Sequence, residues 1–302
     1  MKRLLKAWEK MFFEEYNPFS LLIFRIFLGI SIGIYFILEF PNWERFYSSF
    51  GMLSLTEPNL IQLPLDKFSL FHWAEGKIPI TALWWIGFIG SICFTIGLFT
   101  RASNFILYLI LSSMSLRNPG IQGGYDLIFR LLLFYSIFTP LNYYFSIDNL
   151  FKKTKKQFPL IWPVRLMQLN IASIYILTAL YKILADKSWI NGDAIFWVIT
   201  NFYWSKFPFP ELFYMWNGIP SKFFTYFTLF IELAFPFLVW FKKTRLIILI
   251  LITIFHILIA VAIPYVLVFS MVMISSFWLF VPPEESQRWF SKIKERIIYG
   301  QK

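Results

Sequence analysis

Residues 246–263 read LIILILITIFHILIAVAI, eighteen residues in which Thr253 and His256 are the two polar side chains. At 1.5 Å per helical residue this run covers most of the ~30 Å of hydrocarbon in a bilayer. A lone apolar segment in lipid must satisfy its own backbone, so it must be helical. Lys242-Lys243-Thr244-Arg245 stands immediately before it and Pro264 immediately after it, with a further apolar run at 265–282. Outward from there the same kind of segment recurs at 222–241, 164–185, 124–145, 102–116, 79–99 and 18–40. The segment at 102–116 is short, and Pro264 alone divides the last two. The reading is therefore an all-α, polytopic membrane helical bundle of about eight spans, with a range of six to eight.

Composition agrees. Of 302 residues 58% are hydrophobic, 22% aromatic and 15% charged, whereas soluble domains carry about 25% charged residues. Thirty-eight Phe, 13 Trp and 15 Tyr exceed what one soluble globule of this length hides. The long unbroken runs exclude a β-barrel, whose strands alternate over about ten residues. A single cysteine, Cys93, excludes an intrachain disulfide framework and any multi-Cys metal site. It reads as packing, and no metal-ligand spacing occurs elsewhere.

The formal charge of +11 follows the pattern of cytoplasmic loops rather than of a nucleic-acid surface. With the N-terminus inside and eight crossings, seventeen Lys and Arg fall on the inner side and seven on the outer. The inner set includes Lys2, Arg3, Lys6, Lys10, Arg101, Lys152–Lys156 and Lys242–Arg245; the outer set includes Arg45, Lys67 and Lys77. Both termini are thus expected in the cytoplasm, and the partner is a lipid bilayer. Residues 1–17, with Leu4, Leu5, Trp8, Met11, Phe12 and Tyr16 at helical spacing, read as an interfacial helix. Residues 18–282 form the membrane domain, and 283–302, with Trp289, Phe290, Ile293 and Ile297, a cytoplasmic amphipathic tail. No cleavable signal peptide is expected, because the first apolar run carries Arg25 and no small-residue cleavage site follows. The stretches 41–78 and 186–221 are read as outer loops, with Trp43, Trp73, Trp189, Trp204 and Trp216 at headgroup level.

Ionisable residues inside a bilayer are costly and call for a partner or a use. Arg165 lies at a span end and can snorkel. Arg25 reads as a bundle-facing structural arginine. Gln168, Tyr175 and Lys182 recur every seven residues and share one face of their helix. Lys182, near the outer boundary, is desolvated there, which makes a neutral amine available as a base. The alternatives are a lysine reaching the outer headgroups or pairing with Asp186. Counted from the turn at 242–245, Glu232 and His256 lie at nearly the same depth on antiparallel neighbours. They read as a carboxylate–imidazole couple, either a proton relay or a buried pair that satisfies itself. Arg117, Asn118, Asp126 and Arg130 enter the fourth segment from outside, with Asp126 four residues before Arg130 in the order that favours a helix ion pair. With Lys182 these groups suggest a polar pocket opening outward. His72, among aromatics, reads as structural.

Ser115-Leu-Arg-Asn118, Gly123-Gly-Tyr-Asp126, Phe138-Thr-Pro and Phe145-Ser-Ile-Asp148 occur in this order. Arg165-Leu-Met-Gln168, Tyr175, Lys182, Trp189-Ile-Asn-Gly192, Glu232-Leu-Ala-Phe-Pro236 and His256 follow. This ordered set resembles the HTTM (horizontally transferred transmembrane) family, which is related to vitamin K-dependent gamma-carboxylase, over roughly residues 18–282.

The resemblance implies a chemistry in which a reduced quinol and oxygen generate a strong base. That base takes a proton from the γ-carbon of a glutamate, and carbon dioxide then adds. It implies reduced vitamin K or menaquinol as cofactor and Lys182 as the initial base. His256 and Glu232 fall at a family histidine and acid, while Arg117, Asn118, Asp126, Arg130, Tyr175 and Gln168 fall in the substrate-binding stretches. This chain has one lysine where the vertebrate enzyme has an adjacent pair, so Lys187 competes with Lys182 as the counterpart. It lacks the histidine that the enzyme carries near the outer-loop Asn, and only 20 residues follow the last span, with no counterpart of the large extracytoplasmic domain. Three readings stand: a quinol-dependent carboxylase-like enzyme; a non-catalytic partner or maturation factor for a secreted peptide or protein; and a carrier of a small amphipathic solute, which no inverted repeat supports. Composition points to a bacterial inner membrane.

Overall fold

The structure, a computed structural model, describes residues 2–53, 68–74, 76–151 and 158–299. Lys67 and Lys152–Lys156 lie outside the described residues, as do the side chains of Lys2, Arg3, Leu4, Ile293 and Ile297. The helices are α1 (Lys2–Phe13), α2 (Phe19–Glu39), α3 (Trp43–Tyr47), α4 (Leu70–Trp73), α5 (Lys77–Ile96), α6 (Thr100–Arg117), α7 (Gly124–Ser136) and α8 (Ile147–Leu150). They continue with α9 (Trp162–Ala185), α10 (Lys187–Asn191), α11 (Ala194–Thr200), α12 (Met215–Leu238), α13 (Arg245–Ala262), α14 (Leu267–Phe277) and α15 (Pro283–Tyr299). Among the described residues every regular element is helical, apart from an isolated antiparallel bridge between Glu15 and Leu160.

Among the described residues, five helical stretches are long and apolar enough to cross a membrane: Phe19–Tyr47, Lys77–Ile96, Trp162–Ala185, Met215–Leu238 and Arg245–Ala262. A helix falls on each of the eight apolar runs, but three are not among these five: α6, with 18 residues, is too polar, and α7 and α14 are too short. α7 has 13 residues, about 20 Å, where the sequence reading carried the segment to residue 145. It stops ahead of Thr139-Pro140, because proline denies its predecessor the helical conformation and offers no N–H to the ladder. α14 has 11 residues. Pro264 separates it from α13, with Ile263 extended at φ −131°.

The chain divides into two compact units, Met1–Arg165 with Pro283–Lys302, and Leu166–Pro282. In the first, α2 packs on α5, α5 on α6, α6 on α7 and α15 on α2. The α2–α5 contact is close because glycines face it: a Cβ on Gly29 would collide with Thr95, and one on Gly87 with Phe36. Indole N–H groups tie the start of α5 to the end of α2 and to α3, Trp43 donating to the Ile80 carbonyl and Trp84 to that of Phe36, both at 2.8 Å. In the second unit α12 packs on α13, α13 on α14, and α10 and α11 on α12. α12 is broken near its start, where Trp216, Asn217 and Gly218 adopt left-handed φ of 49°, 54° and 75°. Farther on, Pro236 has no N–H to give the Glu232 carbonyl.

Candidate functional site

The second unit collects the site. On α9 the seven-residue stripe turns inward, as its periodicity predicts. Gln168 donates from Nε2 to the Leu279 carbonyl at 2.6 Å. Tyr175 is buried, and its Oη lies 2.7 Å from His256 Nε2 on α13. Lys182 pairs with Glu232 Oε1 on α12. The lysine side chain is 23% exposed and the glutamate 8%. Lys182 Nζ also lies 4.8 Å from the centroid of the Trp189 ring, a cation–π contact. Asp186, the other acid in reach by sequence, instead caps α10 by accepting from the Ser188 N–H at 2.9 Å. Lys187 is exposed at the start of α10. The geometry therefore singles out Lys182 over Lys187 as the lysine of the buried cluster.

The Glu232–His256 couple expected from their common depth does not form. Equal height along two helices fixes rise but not azimuth, and α9 supplies each group with a different partner, Lys182 for Glu232 and Tyr175 for His256. Both are deeply buried, His256 at 1% and Glu232 at 6% exposure. Aromatic rings close around them: Phe277 and Phe269 have centroids 5.6 and 5.7 Å from the His256 ring, and Phe235 lies 4.7 Å from that of Tyr175.

Two atoms of the cluster remain unpaired, Glu232 Oε2 and His256 Nδ1. An unsatisfied polar atom at this burial costs roughly 1–3 kcal/mol. If Tyr175 donates to Nε2, the unpaired Nδ1 carries a proton and is a donor; if Nε2–H donates to Tyr175, Nδ1 is an acceptor. In either tautomer the cluster offers a fixed imidazole nitrogen and a free carboxylate oxygen in an apolar surround.

The first unit uses its polar side chains otherwise. Arg25, 1% exposed, donates to the Leu141 and Phe145 carbonyls, both at 2.7 Å. Those carbonyls belong to the loop that replaces the second half of the fourth apolar run. Arg117, placed by the sequence in an outward binding pocket, donates to the carbonyls of Tyr47, Ser48 and Leu53, and Asn118 donates to that of Phe46 at 3.0 Å. Asp126 accepts from the Tyr35 hydroxyl and from the Gly123 N–H, each at 2.8 Å. The expected Asp126–Arg130 ion pair is absent: Arg130 donates to the Asp126 carbonyl at 3.2 Å and approaches Gln122 Oε1 at 3.4 Å. Arg165 donates to the Met11 carbonyl at 3.2 Å.

The sequence reading left Asp148 without a role. Its carboxylate accepts from the N–H groups of Phe99 and Thr100 and from the Thr100 hydroxyl, at 2.7, 2.9 and 2.8 Å. It therefore caps the start of α6 from a distance in sequence. Partial burial works against its charge, but these donors and Asn142 outweigh that and hold the carboxyl below its ordinary range. No local signal marks this cap, because the capping acid lies almost fifty residues after the helix start.

No solved structure matches the chain. The HTTM domain family model matches residues 13–284, which takes in both units' helices from the end of α1 to the start of α15. The chain belongs to the HTTM family, and its apolar helices are those of a membrane protein.

Proposed function

We propose that this HTTM protein is a quinol-dependent, carboxylase-like enzyme of a bacterial inner membrane. Lys182, Glu232 and His256 form its acid–base site, eight segments cross with both ends in the cytoplasm, and the site faces outward. One observation carries the reading: a lysine, a carboxylate, an imidazole and a phenol from three helices meet in an apolar interior with Glu232 Oε2 and His256 Nδ1 left over. Each unmet atom costs stability, and here two of them sit in one four-residue cluster where a ligand could pair with both.

A reduced vitamin K or menaquinol fits this test, because a quinol hydroxyl is a donor and Glu232 Oε2 is a free acceptor. Bound there, the quinol would supply the reducing equivalents for oxygen-dependent base formation. Lys182, as the base, would take the quinol hydroxyl proton, and the Glu232 carboxylate paired with it would stabilise the ammonium that forms. Tyr175 orients the His256 ring. Trp189 covers the ammonium and restricts its motion. A glutamate side chain of a secreted peptide or protein client is the acceptor class.

The test supplies the purified full chain with vitamin K hydroquinone or menaquinol, oxygen and labelled bicarbonate. Quinone epoxide and label in a Glu-containing peptide are expected, and both vanish in Lys182→Ala and His256→Ala. Normal product formation by both variants would remove the enzyme reading. Absence of both products from the unaltered protein would leave a non-catalytic maturation partner as the better account.

A further inference from the structure

The second unit also carries a half-open cleft of about 510 Å³ between α11, α12, α13 and the segment ahead of α12. Its size is that of a small-molecule site. Phe207, Phe213, Phe224, Phe255 and Ile259 are among its walls. Thr228 brings a hydroxyl to the lining, and that hydroxyl is spent on the Phe224 carbonyl at 2.8 Å. A polar ligand would lose its hydration there and gain little in return.

A strained bend borders the cleft at Trp216. Trp216 and Asn217 hold left-handed φ of 49° and 54°, followed by Gly218 at 75°, a conformation that costs a bulky residue about 1–3 kcal/mol. The bend lays the turn Pro210–Phe213 against α12 instead of extending the helix. At the other end the Lys206 N–H and the Ser205 hydroxyl both donate to the Ala262 carbonyl, at 3.0 and 3.3 Å. The wall is thereby pinned to the last turn of α13. Tyr203, Trp204 and Tyr214, all at least half exposed, rim the same end, a composition suited to headgroup depth. The lining on α12 and α13 lies roughly 15–33 Å along the helices from the Lys242–Arg245 turn, toward the leaflet away from that turn.

We propose that this cleft binds a single hydrocarbon chain of a membrane amphiphile, taken sideways from the leaflet at that end of α12 and α13. The proposal requires no reaction at Lys182 and is tested without quinol, so it stands or falls apart from the enzyme reading. The experiment places the full chain in phosphatidylcholine nanodiscs doped with a fatty acid that bears a terminal diazirine, irradiates, and maps adducts by mass spectrometry. Adducts on Phe224, Phe255 and Ile259 are expected in severalfold excess over the lipid-facing Phe230 and Ile247 of the same helices. Ile259→Trp and Val198→Trp, which fill the cleft from two sides, should remove that excess and leave labelling at Phe230 unchanged. Two variants guard against misfolding of one, with size-exclusion chromatography as the check. Equal labelling of cleft and lipid-facing positions, or an excess that survives both variants, would overturn the proposal.

Discussion

The two units of this protein give their buried cationic side chains different partners. In the first, Arg25, Arg117 and Asn118 donate to backbone carbonyls of loop residues and of the last two residues of α3, with Arg25 Nε left over. In the second, Lys182, Glu232, Tyr175 and His256 bind one another across helices and leave an oxygen and a nitrogen over. Irregular backbone in a membrane protein is tolerated where something else satisfies it, and arginine, with five donors in a rigid fork, does so well. An intramembrane charge therefore signals function only once its partner is known. Charge facing a carbonyl is architecture, and charge facing charge with atoms to spare is a candidate site.

This contrast can be broken at several points. The largest effect is expected for Arg117→Leu, which strands three carbonyls and should cost roughly 3–5 kcal/mol, at about 1–3 kcal/mol per unmet buried group with some relaxation. A thermal shift in detergent that matches the unaltered protein would refute the clamp. Lys182→Met comes next. It leaves the Glu232 carboxylate without its cation and should cost up to about 3 kcal/mol, less than a fully buried pair because the lysine is partly exposed. Adding Glu232→Leu should restore most of the loss, which a double-mutant cycle reads directly. No such rescue exists for Arg117, whose partners are backbone.

Tyr175→Phe should cost only about 1 kcal/mol but should abolish any turnover that depends on His256. Equal activity would show that the phenol does not orient the ring. The smallest effect belongs to the α6 cap. Asp148 has a folded-state pKa below its unfolded value, so its charge stabilises the fold above the unfolded value of about 4 and that contribution disappears as pH falls through the folded value. The melting temperature of the unaltered protein should drop on acidification below about pH 4. Asp148→Ala should lose about 1 kcal/mol at neutral pH and show a shallower acid limb; an unchanged limb would remove the cap from the account.

Much of this was legible in the sequence. Apolar run length put a helix on each of the eight runs, five of them long and apolar enough to cross a membrane, and the seven-residue spacing of Gln168, Tyr175 and Lys182 identified the inward face of α9. Arg25 was read as structural, and the structure supplies its partners. Pairing was not legible. Depth arithmetic put Glu232 and His256 at one level, but only azimuth decides that each meets α9 rather than the other. The clamps of Arg117 and Asn118 escaped because their targets are carbonyls about 70 residues upstream, and a carbonyl leaves no mark in composition. The early end of α7 had a signal in Thr139-Pro140, outweighed by the apolar run that surrounds it.

The most direct measurement compares stability and turnover in the doubly apolar variant Lys182→Met with Glu232→Leu. Buried ion pairs replaced by packed hydrophobes are commonly neutral for stability, so the variant should melt close to the unaltered protein. It should also form no quinone epoxide when given vitamin K hydroquinone and oxygen. A stable variant that still makes epoxide at the normal rate would show that this lysine and carboxylate serve the fold alone.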